Sequence, residues 1–153
     1  MNWRRFILFG ILCPFFIFHG NAAAEMVSVK GEDINMRSGP GTDFSVQFLL
    51  GSGMPLDVIK RSKDWLNVKD FEGETGWVHK KTVGSTPHVI VKGNRSSDMK
   101  INVRSGPGIE NEIVATAAYG VVFRKLGERD EWIHVEHAQG VEGWVSRNLL
   151  WGF

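Results

Sequence analysis

The chain carries one short phrase twice. Asn35-Met36-Arg37-Ser38-Gly39-Pro40-Gly41 returns as Asn102-Val103-Arg104-Ser105-Gly106-Pro107-Gly108, identical at six of seven positions and 67 residues further on. A period of that length in a chain of 153 residues implies a duplicated unit and two small domains rather than one of ordinary size. Ile34 and Met36 alternate with Asn35 and Arg37, and Ile101 and Val103 alternate with Asn102 and Arg104. That is the period of a strand, and it runs directly into a tight turn. In Gly39-Pro40-Gly41 the proline presets a turn dihedral and a glycine is expected at the positive φ of a type II turn.

The rest of the chain repeats the same order. Val27-Ser28-Val29 and Val89-Ile90-Val91 open the two copies at a spacing of 62, so the second copy holds an insertion. The polar stretch Asn94 to Lys100 accommodates it, as a surface loop does. Phe44, Val46 and Phe48 alternate after the turn, with Ile113 and Ala115 matching the last two. Gly53 and Gly120 punctuate both copies before Met54-Leu56-Val58 and Val121-Phe123-Lys125. Asp64-Trp65-Leu66-Asn67-Val68 is echoed by Glu131-Trp132-Ile133-His134-Val135. A loop around Gly73 or Gly140 leads to a returning strand at Gly76-Trp77-Val78 or Gly143-Trp144-Val145.

Short strands at turn-marked spacing, with no helical stripe, predict an all-β chain of two tandem small barrels. Helix is expected only as a single turn near Ser146 to Leu150. The first domain is expected over 25–84 and the second over 89–153, with 85–88 as linker. Gly84-Ser85-Thr86-Pro87 is short enough to act as a hinge, so the barrels should touch. The unrepeated Trp151 and Phe153 are the expected contact residues.

Residues 1–24 have the layout of a secretory signal peptide. Arg4-Arg5 precede an apolar run from Phe6 to Phe18, and Ala22-Ala23-Ala24 marks cleavage between Ala24 and Glu25. The run is shorter than the ~20 residues of a membrane-spanning helix and Pro14 interrupts it; an uncleaved anchor is the alternative. The single cysteine, Cys13, lies inside this run, so the mature chain has no disulfide and no thiolate metal site. The expected destination is the periplasm or the medium, with no stable membrane span after cleavage. A net charge of +1 advertises no nucleic-acid partner.

The three motifs in order, Asn-x-Arg-Ser-Gly-Pro-Gly, then Asp/Glu-Trp-x-x-Val, then Gly-Trp-Val, resemble the bacterial SH3-like (Src homology 3-type) domain, once per repeat. The resemblance implies a binding module of the cell envelope, without enzymatic activity, engaging cell-wall peptide (peptidoglycan) or an envelope protein. An alternative is a periplasmic adaptor or inhibitor that uses an apolar patch of Tyr119, Trp151 and Phe153. The tyrosine-rich groove with which eukaryotic relatives hold proline-rich peptides does not carry over, because Tyr119 is the only tyrosine.

Trp65, Trp77, Trp132 and Trp144 are the candidate ligand-binding aromatics, and Arg37 and Arg104 the candidate anchors for an acidic group. Two readings of the tryptophans stand open: closure of a small core, or a recognition surface. His134 and His137 face opposite sides of a strand, which disfavours a metal. Asp64, Asp130 and Glu131 form no nucleophile–base set. No cofactor, metal or catalytic residue is expected, and recognition is expected where the copies differ.

Overall fold

The computed structural model describes residues 25–95 and 99–153. The expected signal segment and its expected cleavage site at Ala24 lie outside the described residues. The first copy forms β1 (Glu25–Val29), β2 (Ile34–Arg37), β3 (Val46–Leu50), β4 (Pro55–Ser62), β5 (Trp65–Lys69), β6 (Thr75–His79) and β7 (Val83–Gly84). The second forms β8 (His88–Val91), β9 (Ile101–Arg104), β10 (Ile113–Ala117), β11 (Val122–Arg129), β12 (Trp132–Glu136), β13 (Glu142–Ser146) and β14 (Leu150–Gly152). Each copy is a seven-stranded antiparallel sheet, in the orders β3-β2-β6-β5-β4-β1-β7 and β10-β9-β13-β12-β11-β8-β14. The second order is the first with every strand replaced by its repeat.

Register confirms the shortened spacing at the start of each copy. Val27 sits opposite Leu56, and Val89 sits opposite Phe123, the repeat of Leu56. Alternation then decides what is inside. Val27, Val29, Met36, Leu56, Leu66, Val68 and Val78 fill the first core. Val89, Val91, Val103, Phe123, Ile133, Val135 and Val145 fill the second. A register shift falls between Val58 and Lys60 in β4 and between Lys125 and Gly127 in β11, which turns Ile59 and Leu126 outward. Lys125, where the first copy has Val58, runs its amine to Glu128 (2.6 Å) and to the Phe153 carbonyl (3.3 Å).

Three local expectations need correction. A single-turn 3-10 helix forms at Arg147–Leu149 as anticipated, but the first copy has one too, at Lys80–Thr82. Phe44 lies outside β3, and Val46, Phe48 and Leu49 within it are exposed. Neither Gly39 nor Gly41 has positive φ. Instead the Gly41 amide donates to the Gly39 carbonyl (3.0 Å) around Pro40, and the Phe44 ring occupies the space a Gly39 side chain would need. The Asn111 amide does the same at Gly106. Gly39, Gly41 and Gly106 permit close approach rather than an unusual dihedral, whereas Gly108, the repeat of Gly41, does take a positive φ of 155°. Gly53 and Gly120, by contrast, turn at φ of 75° and 81°, in the left-handed region that only glycine enters freely.

The barrels meet face to face through equivalent positions. Directly opposed residues in antiparallel strands share a side of the sheet, so Ile90, Val122 and Trp151 all point away from the second core. Ile90 is nonetheless only 1% exposed. Val122 comes up to Gly53, and Gly152 to Pro55, so the first barrel covers this face. Ser28, Pro55 and Gly84, the positions equivalent to Ile90, Val122 and Trp151, likewise share the outer side of the first sheet, and of these Pro55 meets the second barrel at Gly152. The second copy carries bulk at positions where the first carries small residues. Trp151, Gly152 and Phe153 line a shared recess with Met26 and Asp57, as the position of the unrepeated C-terminus suggested.

A second contact lies beside the seam. The Tyr119 ring packs on Phe71 at 5.5 Å between centroids, its hydroxyl donates to Glu72, and Arg95 pairs with Glu72 at 2.7 Å. On the other side Ala138 and Gly140 of the second barrel line a cleft with Ser52 and Gly53 of the first. Hairpin tip meets strand-turn in both directions, the reciprocity of a pseudo-twofold pair. The connection 85–87 is held at its end, because the Lys125 amide donates to the Pro87 carbonyl (2.9 Å).

Candidate functional site

The repeated tryptophans are not core. Along β5 and β6, Leu66, Val68, Gly76 and Val78 are buried, so Trp65, Asn67, Trp77 and His79 stand on the outer side. Trp132, His134 and Trp144 stand equivalently on β12 and β13. All four tryptophans are half-buried, and none belongs to either core cluster. Trp65 meets His79 edge-on at 5.3 Å, whereas Trp144 stacks flat on His134 at 4.6 Å with 12° between planes. His134 Nε2 lies 3.0 Å from Glu142.

Arg37 stands opposite Trp77, and Arg104 opposite Trp144, where β2 and β9 cross the returning strands. These crossings are close because Gly76 and Gly143 carry no side chain; a Cβ on Gly143 would lie 2.7 Å from the Arg104 carbonyl oxygen. Each arginine fastens the turn that follows it. Arg37 Nη1 donates to the carbonyls of Thr42 (3.1 Å) and Phe44 (2.7 Å), and Arg104 Nη1 to that of Asn111 (2.8 Å), the repeat of Phe44. Neither guanidinium has a carboxylate partner within 4 Å among the described residues. A guanidinium has five N–H donors, so both keep hydrogen-bonding capacity toward a ligand.

In the first barrel this outer face hollows into a groove of about 240 Å³ lined by Asp33, Asn35, Arg37, Thr42, Trp65 and His79, among others. The Lys81 amide donates to His79 Nδ1 (3.3 Å), leaving Nε2 as the donor toward the groove in the neutral ring. Lys80 holds Asp64 at 2.7 Å just outside, and its hydrogen bond and charge keep the Asp64 carboxyl below the usual carboxylate range. The groove therefore offers an aromatic wall, a guanidinium and hydroxyl and amide groups: the chemistry of a peptide or sugar site. Arg37 and Trp65 share it, while Trp77 lies beside Arg37 on the same outer face. The sequence missed Thr42, His79 and Asn35 as lining groups; strand alternation was the available signal for Asn35 and His79, whereas Thr42 arrives on the turn between β2 and β3 and has no such signal.

The other expected residues are dispersed. Tyr119 rests on Phe71, while Trp151 and Phe153 face Met26 and Asp57, so the three do not form one patch. His137 holds the place of Asp70 and does its work: Asp70 accepts the amides of Glu72 and Glu74 (both 2.9 Å), and His137 Nδ1 accepts that of Gln139 (3.2 Å). At the surface of the first copy Arg61 pairs with Glu25 and Lys80 with Asp64. Among the described residues no group of three or more His, Cys, Asp and Glu is placed to hold a metal, and no helix is long and apolar enough to cross a membrane.

A bacterial SH3 domain model matches residues 30–84 and again 97–152. The "Putative N-acetylmuramoyl-L-alanine amidase YrvJ" of Bacillus subtilis (strain 168) is 27% identical over 163 aligned positions, covering 98% of this chain but 31% of that protein. The chain thus spans about a third of that relative's length. NlpC2 from Trichomonas vaginalis is 11% identical with a TM-score of 0.37, covering 86% of this chain and 49% of that one. An NlpC/P60 family protein from Bacillus cereus ATCC 10987 is 14% identical with a TM-score of 0.36, covering 83% and 56%. Those overall superpositions are too poor to argue from. The paired family match, the doubled motifs and the doubled sheet agree: the chain belongs to the bacterial SH3 domain family and carries two tandem copies.

Proposed function

We propose that this protein is an exported, non-enzymatic binding module of the bacterial cell envelope, holding cell-wall peptide on the outer Arg–Trp faces of its barrels. The observation that carries the reading is the placement of Trp65, Trp77, Trp132 and Trp144 on the outer faces of the sheets, each half-buried, beside Arg37 and Arg104. Half-exposed tryptophan gives large apolar contact at little entropic cost, and a guanidinium suits the carboxylates of a peptide. The match to a protein whose name describes a cell-wall amidase supports a wall context. The adaptor reading has less support, since Tyr119 is engaged on Phe71 and Glu72 within the chain.

The test is co-sedimentation of mature protein with purified peptidoglycan sacculi. The protein is expected in the pellet, and the double variant Trp65→Ala, Trp132→Ala is expected to shift to the supernatant while keeping its far-ultraviolet spectrum. Wild-type protein left wholly in the supernatant refutes wall binding.

A further inference from the structure

The second barrel has an apolar pocket at a place where the two copies differ in a concerted way. Val103, Ala115, Ala117 and Val121 line a cavity of about 290 Å³ floored by Phe123. The equivalent positions in the first copy are Met36, Phe48, Leu50 and Met54, with Leu56 for Phe123. Met36 and Leu50 are buried there and Met54 packs on the core. Each of these four is smaller in the second copy, while the floor is larger. The three that lie in or against the first core lose about five side-chain heavy atoms and the floor returns about three, in interiors where loss of even one methylene is felt. The position of Phe48, which is exposed in the first copy, loses about six more at the pocket mouth. One truncation is ordinary drift. Four around one space leave a hollow that opens to solvent, with a size suited to one aliphatic side chain.

Charge at the rim changes in the same direction. Asp33, Asp70, Glu72 and Glu74 of the first copy are replaced by Lys100, His137, Gln139 and Val141, all of which line the pocket. Every acid is gone and a lysine has arrived. His137 is oriented by the Gln139 amide on Nδ1 and by edge contact with Phe123 at 5.6 Å, which leaves its Nε2 to meet a ligand. An apolar hollow with a cationic, acid-free rim is complementary to an apolar group that carries a negative charge.

We propose that this pocket binds an aliphatic group bearing a carboxylate, with the hydrocarbon against Ala115 and Ala117 and the carboxylate toward Lys100. The chain end of a peptide and a free aliphatic acid are the two sources of that chemistry. The proposal concerns the second barrel alone and does not depend on wall binding through the Arg–Trp faces.

Methyl and amide NMR of the full mature chain tests it with three probes: N-acetyl-leucine, N-acetyl-leucinamide and hexanoate. N-acetyl-leucine is expected to shift the signals of Val103, Ala115, Ala117 and Val121, with affinity in about the millimolar range for a ligand of this size. It is expected to bind about two- to fivefold more tightly than its amide, the worth of one solvent-exposed ion pair, and Lys100→Gln is expected to erase that difference. Ala117→Leu, which restores the first copy's residue, is expected to abolish binding of all three; Ala115→Phe at the pocket mouth serves as a second filling variant. Thermal melts establish that these variants are folded. Hexanoate as tight as N-acetyl-leucine supports the proposal with an aliphatic acid as source, and weaker hexanoate supports it with a peptide end. No shifts at about 20 mM, an amide as tight as the acid, or undiminished binding by both folded filling variants overturns it.

Discussion

Gly143→Ala probes the crossing that presents Trp144. Gly143 is buried in β13 opposite Val135, and β9 crosses at Arg104. A Cβ there would lie 2.7 Å from the Arg104 carbonyl oxygen, 2.7 Å from Val103 Cγ1 and 3.2 Å from Val114 Cγ2. The oxygen belongs to backbone, so relief requires β9 and β13 to part. Overpacking of this kind costs about 1–3 kcal/mol. The φ of Gly143 is not positive, so alanine also gains about 0.4–1 kcal/mol through the unfolded chain. The net loss is about 1–2 kcal/mol, or a fall in Tm of roughly 5–15 °C for a domain of this size. Gly76→Ala is the control. Its nearest obstacle is Met36 Cγ at 2.6 Å, the middle of a flexible side chain, and the Arg37 carbonyl oxygen stands off at 3.1 Å. It should cost less than Gly143→Ala, because the buried Met36 side chain must shift but no backbone atom stands within 3.0 Å. Calorimetry of both variants measures the difference, and near-ultraviolet circular dichroism reports the Trp144–His134 stack. A Gly143→Ala protein that melts with the wild type, or a Gly76→Ala protein that loses more, refutes the reasoning.

Other expectations follow from the seam and the turns. Tyr119 has its pKa raised by burial and by its hydrogen bond to Glu72, so the folded chain holds the phenolic proton more tightly than the unfolded one. The resulting stability is complete below the ordinary value of about 10 and declines as pH rises beyond it; with a single tyrosine, phenolate absorbance reads the titration directly, and Glu72→Gln should move it downward. Ile90→Ala should cost about 2–4 kcal/mol although Ile90 belongs to neither core, and calorimetry should resolve a cooperative transition into two. Arg37→Met removes the hydrogen bonds to Thr42 and Phe44 and should cost about 0.5–1.5 kcal/mol, with faster amide exchange confined to 38–45. Unchanged exchange there would mean that Arg37 does not hold the turn.

Much of the fold was legible because strand period and turn chemistry are local. The duplicated heptapeptide, the alternation through Leu66-Asn67-Val68 and the Gly-Trp-Val return placed the strands and the repeat, and set Trp65 on the side of its strand opposite Leu66 and Val68. The 3-10 turn at Lys80–Thr82 escaped notice because Lys80, Lys81 and Thr82 carry no helical pattern in a segment of three residues. The first Gly-Pro-Gly turn departs from the expected type II dihedral for a related cause. Sequence signals a preferred dihedral, whereas the governing constraint is the Phe44 ring arriving from five residues away.

The sequence by itself determined that there are two β units of one kind, where their strands fall along the chain, and which side of most of them, β3 excepted, is buried. Those depend on neighbours along the chain. Only the tertiary structure decided what the remaining side chains face. It placed Val122 against Gly53 and Gly152 against Pro55, so that the outward Ile90 is covered at the seam between the barrels. It put the four tryptophans outside the cores and their arginines over the turns. It also showed that Met36, Phe48, Leu50 and Met54 are lost together around a single space in the second copy. Complementarity between surfaces distant in sequence has no period, and so it becomes visible only when the chain is folded.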